Sequence, residues 1–281
     1  MLELIVTGDT GSGNQSQKDV ALSMEKLIQR NPKIESVLLV GDNIYESGCY
    51  GVDDPQFDEK FQIPYQNIHL PFYLCLGNHD YGTHVSNYSQ FQIDYTTSKY
   101  NKDKKWNMPS KWYSQSYPHA DIFFIDTNID WLNEFEIKKQ LRDTILSINN
   151  SNKKWKILCG HHTWRSVGGH GNADKNLEIF MKELVSKVSI DLYVCGHDHC
   201  KSIIEVPNNN NKKIATLVIG TGGKIYDEEL FNLTNLEKDN SILQYFSPNL
   251  GVCYMKIDNH SLKLICYNEK LEEEYKYTIK K

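Results

Sequence analysis

The chain has 281 residues, 40% of them hydrophobic and 11% aromatic, so it can bury a sizeable core and is not globally disordered. Its net charge of −5 offers no general attraction to nucleic acid or to an anionic membrane surface. No stretch approaches the run of about eighteen apolar residues that a membrane-spanning helix needs.

The first element is "LELIVT" (2–7), an apolar strand cut off at once by Gly8 and Asp9. It reads as a core strand and not as a secretory leader, which would need a basic start and a longer apolar run. A helical pattern follows from about Gln17 to Arg30, and "SVLLV" (36–40) and "PFYLCL" (71–76) are the next strands. "DIFFIDT" (121–127) is another, leading into a helix over roughly Glu134 to Asn149. "WKILCG" (155–160) and "DLYVCG" (191–196) bracket a helix near Lys175 to Val188. In the last eighty residues, "IIEVP", "KIATLVIG", "GVCYMKI" and "SLKLICY" read as antiparallel strands, with Asn208 to Asn211 at a polar loop. The expectation is a single α/β domain over residues 1–281, with a second, more antiparallel sheet.

Seven cysteines, Cys49, Cys75, Cys159, Cys195, Cys200, Cys253 and Cys266, form an odd set with no C-x-x-C pair. They read as buried free thiols, which fits a reducing compartment. The Asn-x-Ser/Thr triplets at Asn87 and Asn232 read as incidental.

A regularity runs through the strand exits: "GD", "GDNIY", "GNHD", "GHH" and "GHDH" each put a glycine first and ligand-type side chains after it. Strand ends in an α/β sheet converge on one crevice, so these residues are expected to meet. The collected set is Asp9, Asp42, Tyr45, Asn78, His79, His161, His197 and His199. Oxygen and imidazole donors without thiolate suit iron, manganese or zinc. The set is too large for one four-coordinate zinc and suits two metals sharing a carboxylate, roughly 3.5–4 Å apart, as in sites that hydrolyse phosphate esters. The glycine-rich "GDTGSGN" (8–14) lacks both the lysine of a phosphate loop and the G-x-G-x-x-G spacing. Its Asp9 would repel phosphate unless a cation intervened, so it reads as a metal loop.

The five motifs resemble those of the calcineurin-like metallophosphoesterases. Within them the chain looks like the purple acid phosphatases, above all the small tartrate-resistant type, and "KWNMPSKWYS" (105–114) and "NLGVCYMKID" (249–258) extend the likeness over nearly the whole chain. The resemblance implies a four-layer αββα sandwich: two mixed sheets flanked by helices, with a dinuclear metal site at the C-terminal ends of the strands. It implies Fe(III) on Asp9, Asp42, Tyr45 and His199, and a second metal, Fe(II), Zn or Mn, on Asp42, Asn78, His161 and His197, with Asp42 bridging. Most relatives carry D-x-H in the first motif, whereas this chain has Gly11 and supplies Tyr45, a hard anionic donor suited to ferric iron. A hydroxide held by ferric iron persists at acid pH. His79 and His170 fall where the family has its substrate-side histidines, either of which could protonate the leaving group.

The implied activity is hydrolysis of phosphomonoesters, on a small molecule or a phosphoprotein. The alternatives are a manganese or zinc phosphodiesterase or nucleotide hydrolase, and a scaffold that has lost its metals. Asp80 and Asp198 read as partners that orient neighbouring histidines or loop amides. "GTGGK" (220–224) reads as a tight strand exit touching the ligand loops. His162 stands where the family usually has tyrosine and is either pocket-lining or structural, while His69, His84, His119 and His260 read as surface or turn residues. The chain departs from secreted relatives in three ways: no signal peptide, no cysteine pair between Asp126 and Leu184, and a short loop around Asn128 to Glu136. Thr10 also replaces the family's tryptophan. The first three departures imply an intracellular, cytoplasmic protein that is active without cleavage of that loop, and the resemblance to the small family members implies a monomer.

Overall fold

Strand β1 (Leu2–Thr7) is buried along its whole length, and its two faces serve two different cores. Leu2, Leu4 and Val6 join one cluster of buried side chains and Ile5 joins another, as the period of two in a strand dictates. In the computed structural model, which describes residues 1–82, 88–208, 213–225 and 231–281, β1 lies at the centre of a seven-stranded sheet. His84, Asn87, Asn209 to Asn211 and most of the Tyr81–Asn87 segment lie outside the described residues.

The chain-order strands are β2 (Ile34–Leu39), β3 (Phe72–Leu74), β4 (Trp106–Asn107), β5 (Tyr113–Ser116), β6 (Ala120–Phe124), β7 (Trp155–Cys159), β8 (Leu192–Cys195), β9 (Lys201–Pro207), β10 (Lys213–Ile219), β11 (Ile242–Ser247), β12 (Gly251–Ile257), β13 (Ser261–Asn268) and β14 (Glu273–Lys280). The first sheet has the order β14-β13-β12-β1-β2-β3-β4 and the second β11-β9-β10-β8-β7-β6-β5. β1 to β4 run parallel, as do β6, β7, β8 and β10.

Between the sheets lies an apolar layer that includes Leu4, Val6 and Leu38 from one side and Ile122, Ile157, Val194 and Leu217 from the other. Helix α1 (Gln15–Arg30) covers the outer face of the first sheet, with Val20, Met24 and Leu27 against Ile5, Val37 and Leu39. On the outer face of the second sheet, Ile148 of α3 (Glu134–Asn150) and Leu177, Phe180, Met181 and Leu184 of α4 (Lys175–Lys187) pack on Phe123, Leu158 and Tyr193. The result is the expected αββα sandwich.

Helix starts follow the capping logic of the sequence. Asn14 Oδ1 accepts from the Gln17 amide at 3.0 Å, and Asp174 Oδ1 accepts from that of Leu177 at 2.8 Å. Asn133 and Glu136 form a reciprocal capping box at 2.9 and 3.1 Å. The helix α2 (Tyr88–Tyr95) was not expected, because two of its buried side chains, Ser89 and Gln92, are polar and disrupt the apolar period.

The C-terminal strands depart from expectation. They build no sheet of their own: β12 pairs antiparallel with β1, Val6 opposite Cys253, while β9 and β10 extend the second sheet through β10 and β8. Alternation identifies a strand but not which edge it joins. All seven cysteines are buried and free.

Leu4 is wholly buried at the contact of the two sheets. Leu4→Ala is expected to cost about 2–5 kcal/mol of unfolding free energy, read from the midpoint shift in urea at unchanged slope.

Candidate metal centre

Because β1, β2 and β3 are parallel, Asp9, Asp42 and Asn78 leave one edge of the first sheet together. β7 and β8 deliver His161 and His197 from the second sheet in the same manner. Asp9, Asp42 and His161 each offer a ligand atom within 4.8 Å of the others, and all three side chains are buried. Asp9 (φ 58°), Asp42 (φ 53°) and His197 (φ 68°) all sit in the left-handed region, which non-glycine residues adopt rarely, Asp and His more readily than most.

The donors fall into two groups. In one, Tyr45 Oη lies 3.0 Å from Asp9 Oδ1 and 3.2 Å from His199 Nε2, with His199 Nε2 3.3 Å from Asp9 Oδ1. In the other, Asn78 Oδ1 lies 3.0 Å from His161 Nε2 and 3.1 Å from His197 Nδ1, and His161 Nε2 is 3.4 Å from Asp42 Oδ2. His161 Nδ1 donates to the Val40 carbonyl at 2.8 Å. That bond points Nε2 at the cluster, the usual way in which a ligating imidazole is oriented. All seven residues expected as ligands are thus brought together, and their donor chemistry fits a pair of cations.

The electrostatics ask for positive charge. Burial opposes ionisation of Asp42, but the charge and hydrogen bond of His161 outweigh it and hold the carboxyl well below its usual range. Burial also opposes a charge on His161, yet Asp42 and Asp9 push it up to about 10. A proton on His161 thereby offsets the carboxylates. The Tyr45 phenol is driven far above its ordinary value, first by burial and then by Asp9 and Asp42. A phenolate there requires a bound cation.

The glycines make room. A Cβ at Gly77 would lie 2.1 Å from Asp42 Oδ1. One at Gly11 would lie 2.2 Å from the carbonyl carbon of Asn43, and the Tyr45 amide donates to the Gly11 carbonyl at 2.9 Å. The backbone that presents Tyr45 therefore fills the space where a side chain at position 11 would begin.

His79 and His170 stand at the mouth. The His79 amide donates to Asp42 Oδ1 at 2.9 Å, its Nδ1 lies 2.6 Å from the Glu46 carbonyl, and its ring packs on Tyr45 at 4.5 Å. His170 is exposed; its ring stacks on His197 at 4.1 Å and its amide donates to Asp198 Oδ1 at 2.7 Å. Asp80 gathers loop amides as expected, accepting from Gly77, Asn43 and Ile44 as well as from the Gln92 side chain. Burial, with the charge of Asp42 next, pushes it up to about 7. "GTGGK" touches the first loop, the Gly222 amide donating to the Gly8 carbonyl at 2.9 Å.

Three features escaped sequence reading. Asp126 and Thr127 make a sixth exit: Asp126 accepts from Tyr81 and Asn128, and Thr127 from the amides of His161 and His162. The "DT" after "FFI" was the available signal. Lys224 lies 3.7 Å above the Tyr45 ring and pairs with Glu46 at 2.9 Å. Arg165 grips Glu178 with two nitrogens at 2.7 and 2.8 Å, tying the loop that carries His162 and His170 to α4.

A family model, calcineurin-like phosphoesterase, matches residues 2–201. Purple acid phosphatase 7 of Arabidopsis thaliana is 31% identical over 251 residues, 80% of this chain and 71% of that protein. Purple acid phosphatase 4 of the same plant is 29% identical over 95% of this chain and 80% of its own length. The chain belongs to the calcineurin-like phosphoesterases, within the purple acid phosphatases. Purple acid phosphatases are dinuclear metal enzymes, which implies metal cofactors for this one. Among solved structures, GAP50, described as the anchor in the inner membrane complex of Plasmodium, superposes with a TM-score of 0.81 over 99% of this chain and 88% of that one. At 21% identity that likeness concerns the fold alone.

Two outcomes are expected. Gly77→Ala should displace Asp42 and weaken metal retention about 10–100-fold, measured as metal per chain after graded dialysis against chelator. Glu178 is pushed down to about 2, burial opposing and Arg165 and Lys182 prevailing. Its stabilising effect is therefore complete above its ordinary value of 4.5 and lost as pH falls through about 2. Glu178→Gln should lower the thermal midpoint by a few degrees at pH 7, with the gap closing below pH 4.5.

Proposed function

We infer that this purple acid phosphatase hydrolyses phosphate monoesters, with Fe(III) held by Asp9, Asp42, Tyr45 and His199 and Fe(II), Zn or Mn by Asp42, Asn78, His161 and His197. The observation that carries the reading is the placement of Tyr45 between Asp9 and His199 at 3.0 and 3.2 Å: a phenol oxygen joins the carboxylate in that group, while the other combines its carboxylate with amide and imidazole donors only, an asymmetry that favours two unlike metals. When bound, such a pair supplies an activated water as nucleophile and neutralises charge during in-line displacement at phosphorus.

The chain's own residues do the rest. His79 Nδ1 faces a carbonyl, which can only accept, so its N–H lies there and Nε2 is left to carry the mobile proton. That nitrogen sits 4.0 Å from Asp42 Oδ2, within reach of a phosphate bound at the centre. His170 stacks on His197 across the mouth, which supports reading it as the other candidate to protonate the departing ester oxygen. A general acid in such a position is worth typically 10²–10⁴-fold. The side chains at all seven ligand positions argue against a scaffold role of the kind that GAP50's description names.

The test uses protein reconstituted with ferric iron and a divalent metal, assayed on p-nitrophenyl phosphate and on its bis-ester across pH. Faster cleavage of the monoester, peaking in acid, is expected; a preference for the diester near neutral pH would install the phosphodiesterase reading instead. Tyr45→Phe should bleach the visible absorption and keep the fold, and an unchanged band would rule Tyr45 out as the chromophoric ligand.

A further inference from the structure

His162 has no place in the two donor groups, yet it is held as tightly as any residue in them. Its carbonyl accepts from Tyr193 Oη at 2.6 Å, its amide donates to Thr127 Oγ1 at 2.9 Å, and its Nδ1 lies 2.8 Å from the same Oγ1. The His161 amide also donates to that oxygen, at 3.2 Å. A hydroxyl has one proton to give and two lone pairs with which to accept. Both acceptor sites of Thr127 are taken by backbone N–H groups, so its proton must go to His162 Nδ1. The Nδ1 atom is then an acceptor, the imidazole is neutral, and its single N–H is at Nε2. Gly160 permits this close approach, since a Cβ there would lie 2.6 Å from Thr127 Cγ2.

The ring stands 4.5 Å from that of His197 and 5.1 Å from that of His161. It lines a cavity of about 140 Å³ with His170, His197, Asn172 and Thr163. His162 is half-buried, and its ring hydrogen bond among the described residues is made through Nδ1 and not Nε2.

We propose that Thr127 fixes His162 as a neutral Nε2–H donor that holds an oxygen of the phosphate group on the His161–His197 side of the centre. This rests on the phosphatase reading for its ligand, while the tautomer stands independently of it. Such a donor binds phosphate without adding charge and without giving up a proton, a role distinct from that of His79 and His170.

The first experiment reads imidazole ¹⁵N shifts of the metal-free protein at pH 8. An unprotonated Nδ1 and a protonated Nε2 at His162, disturbed by Thr127→Val and kept by Thr127→Ser, are expected; a protonated Nδ1 would overturn the proposal. The second titrates inorganic phosphate into the metal-loaded protein by calorimetry. His162→Phe should weaken binding roughly tenfold with metal content unchanged, and His162→Gln, whose amide offers an N–H near the same point, should restore most of it. Equal affinity in wild type and His162→Phe would overturn the role of His162 alone. Failure of the wild type to bind phosphate, with the Nε2–H tautomer intact, would overturn the phosphatase reading and remove the ligand from this inference with it.

Discussion

Two carboxylates, Asp9 and Asp42, are taken out of water where the two sheets meet, at 0% and 1% exposure. Burying one such charge unpaired costs several kcal/mol, and much of the surrounding structure answers that cost. Asp42 accepts from the His79 amide, and Asp9 Oδ2 from that of His197 at 3.0 Å. His161 comes from the opposite sheet to face Asp42. What these groups leave unmet is positive charge, and a site that needs cations this strongly is a site built to hold them.

Convergence of the exits follows from strand direction. Parallel neighbours put their C-terminal ends at one edge, and stacking two such sheets brings two edges together over a shared apolar layer. The price is crowding. Asp9, Asp42 and His197 take up left-handed backbone, and glycines stand where a methyl group would strike a carboxylate oxygen. Rigid strands supply the position, and short turns supply the aim.

A ring of secondary contacts then fixes the histidines. The Val40 carbonyl orients His161, Thr127 holds the amides of His161 and His162, and Asp198 holds that of His170. These partners matter because a fold alone does not choose a function. The same sandwich occurs in a protein described as an anchor, so the reading for this chain rests on its own donor set and the contacts that orient it.

The strands β1, β2, β7 and β8 were legible as apolar runs, and the metal-type residues were legible because each follows such a run through a glycine. Those are local signals, carried within half a dozen residues. The buried state of the cysteines was legible for the same reason. The partner sheets of β9 to β13 were not, because alternation is blind to which edge a strand will join. Nor were Thr127, Lys224 or Gln92, whose roles arise from residues 12 to 179 positions away. The sequence by itself determined which side chains could bind metal and where along the chain they occur. Only the tertiary structure decided how they divide into two groups and which polar atoms orient them, since those contacts exist only once both sheets have closed on each other.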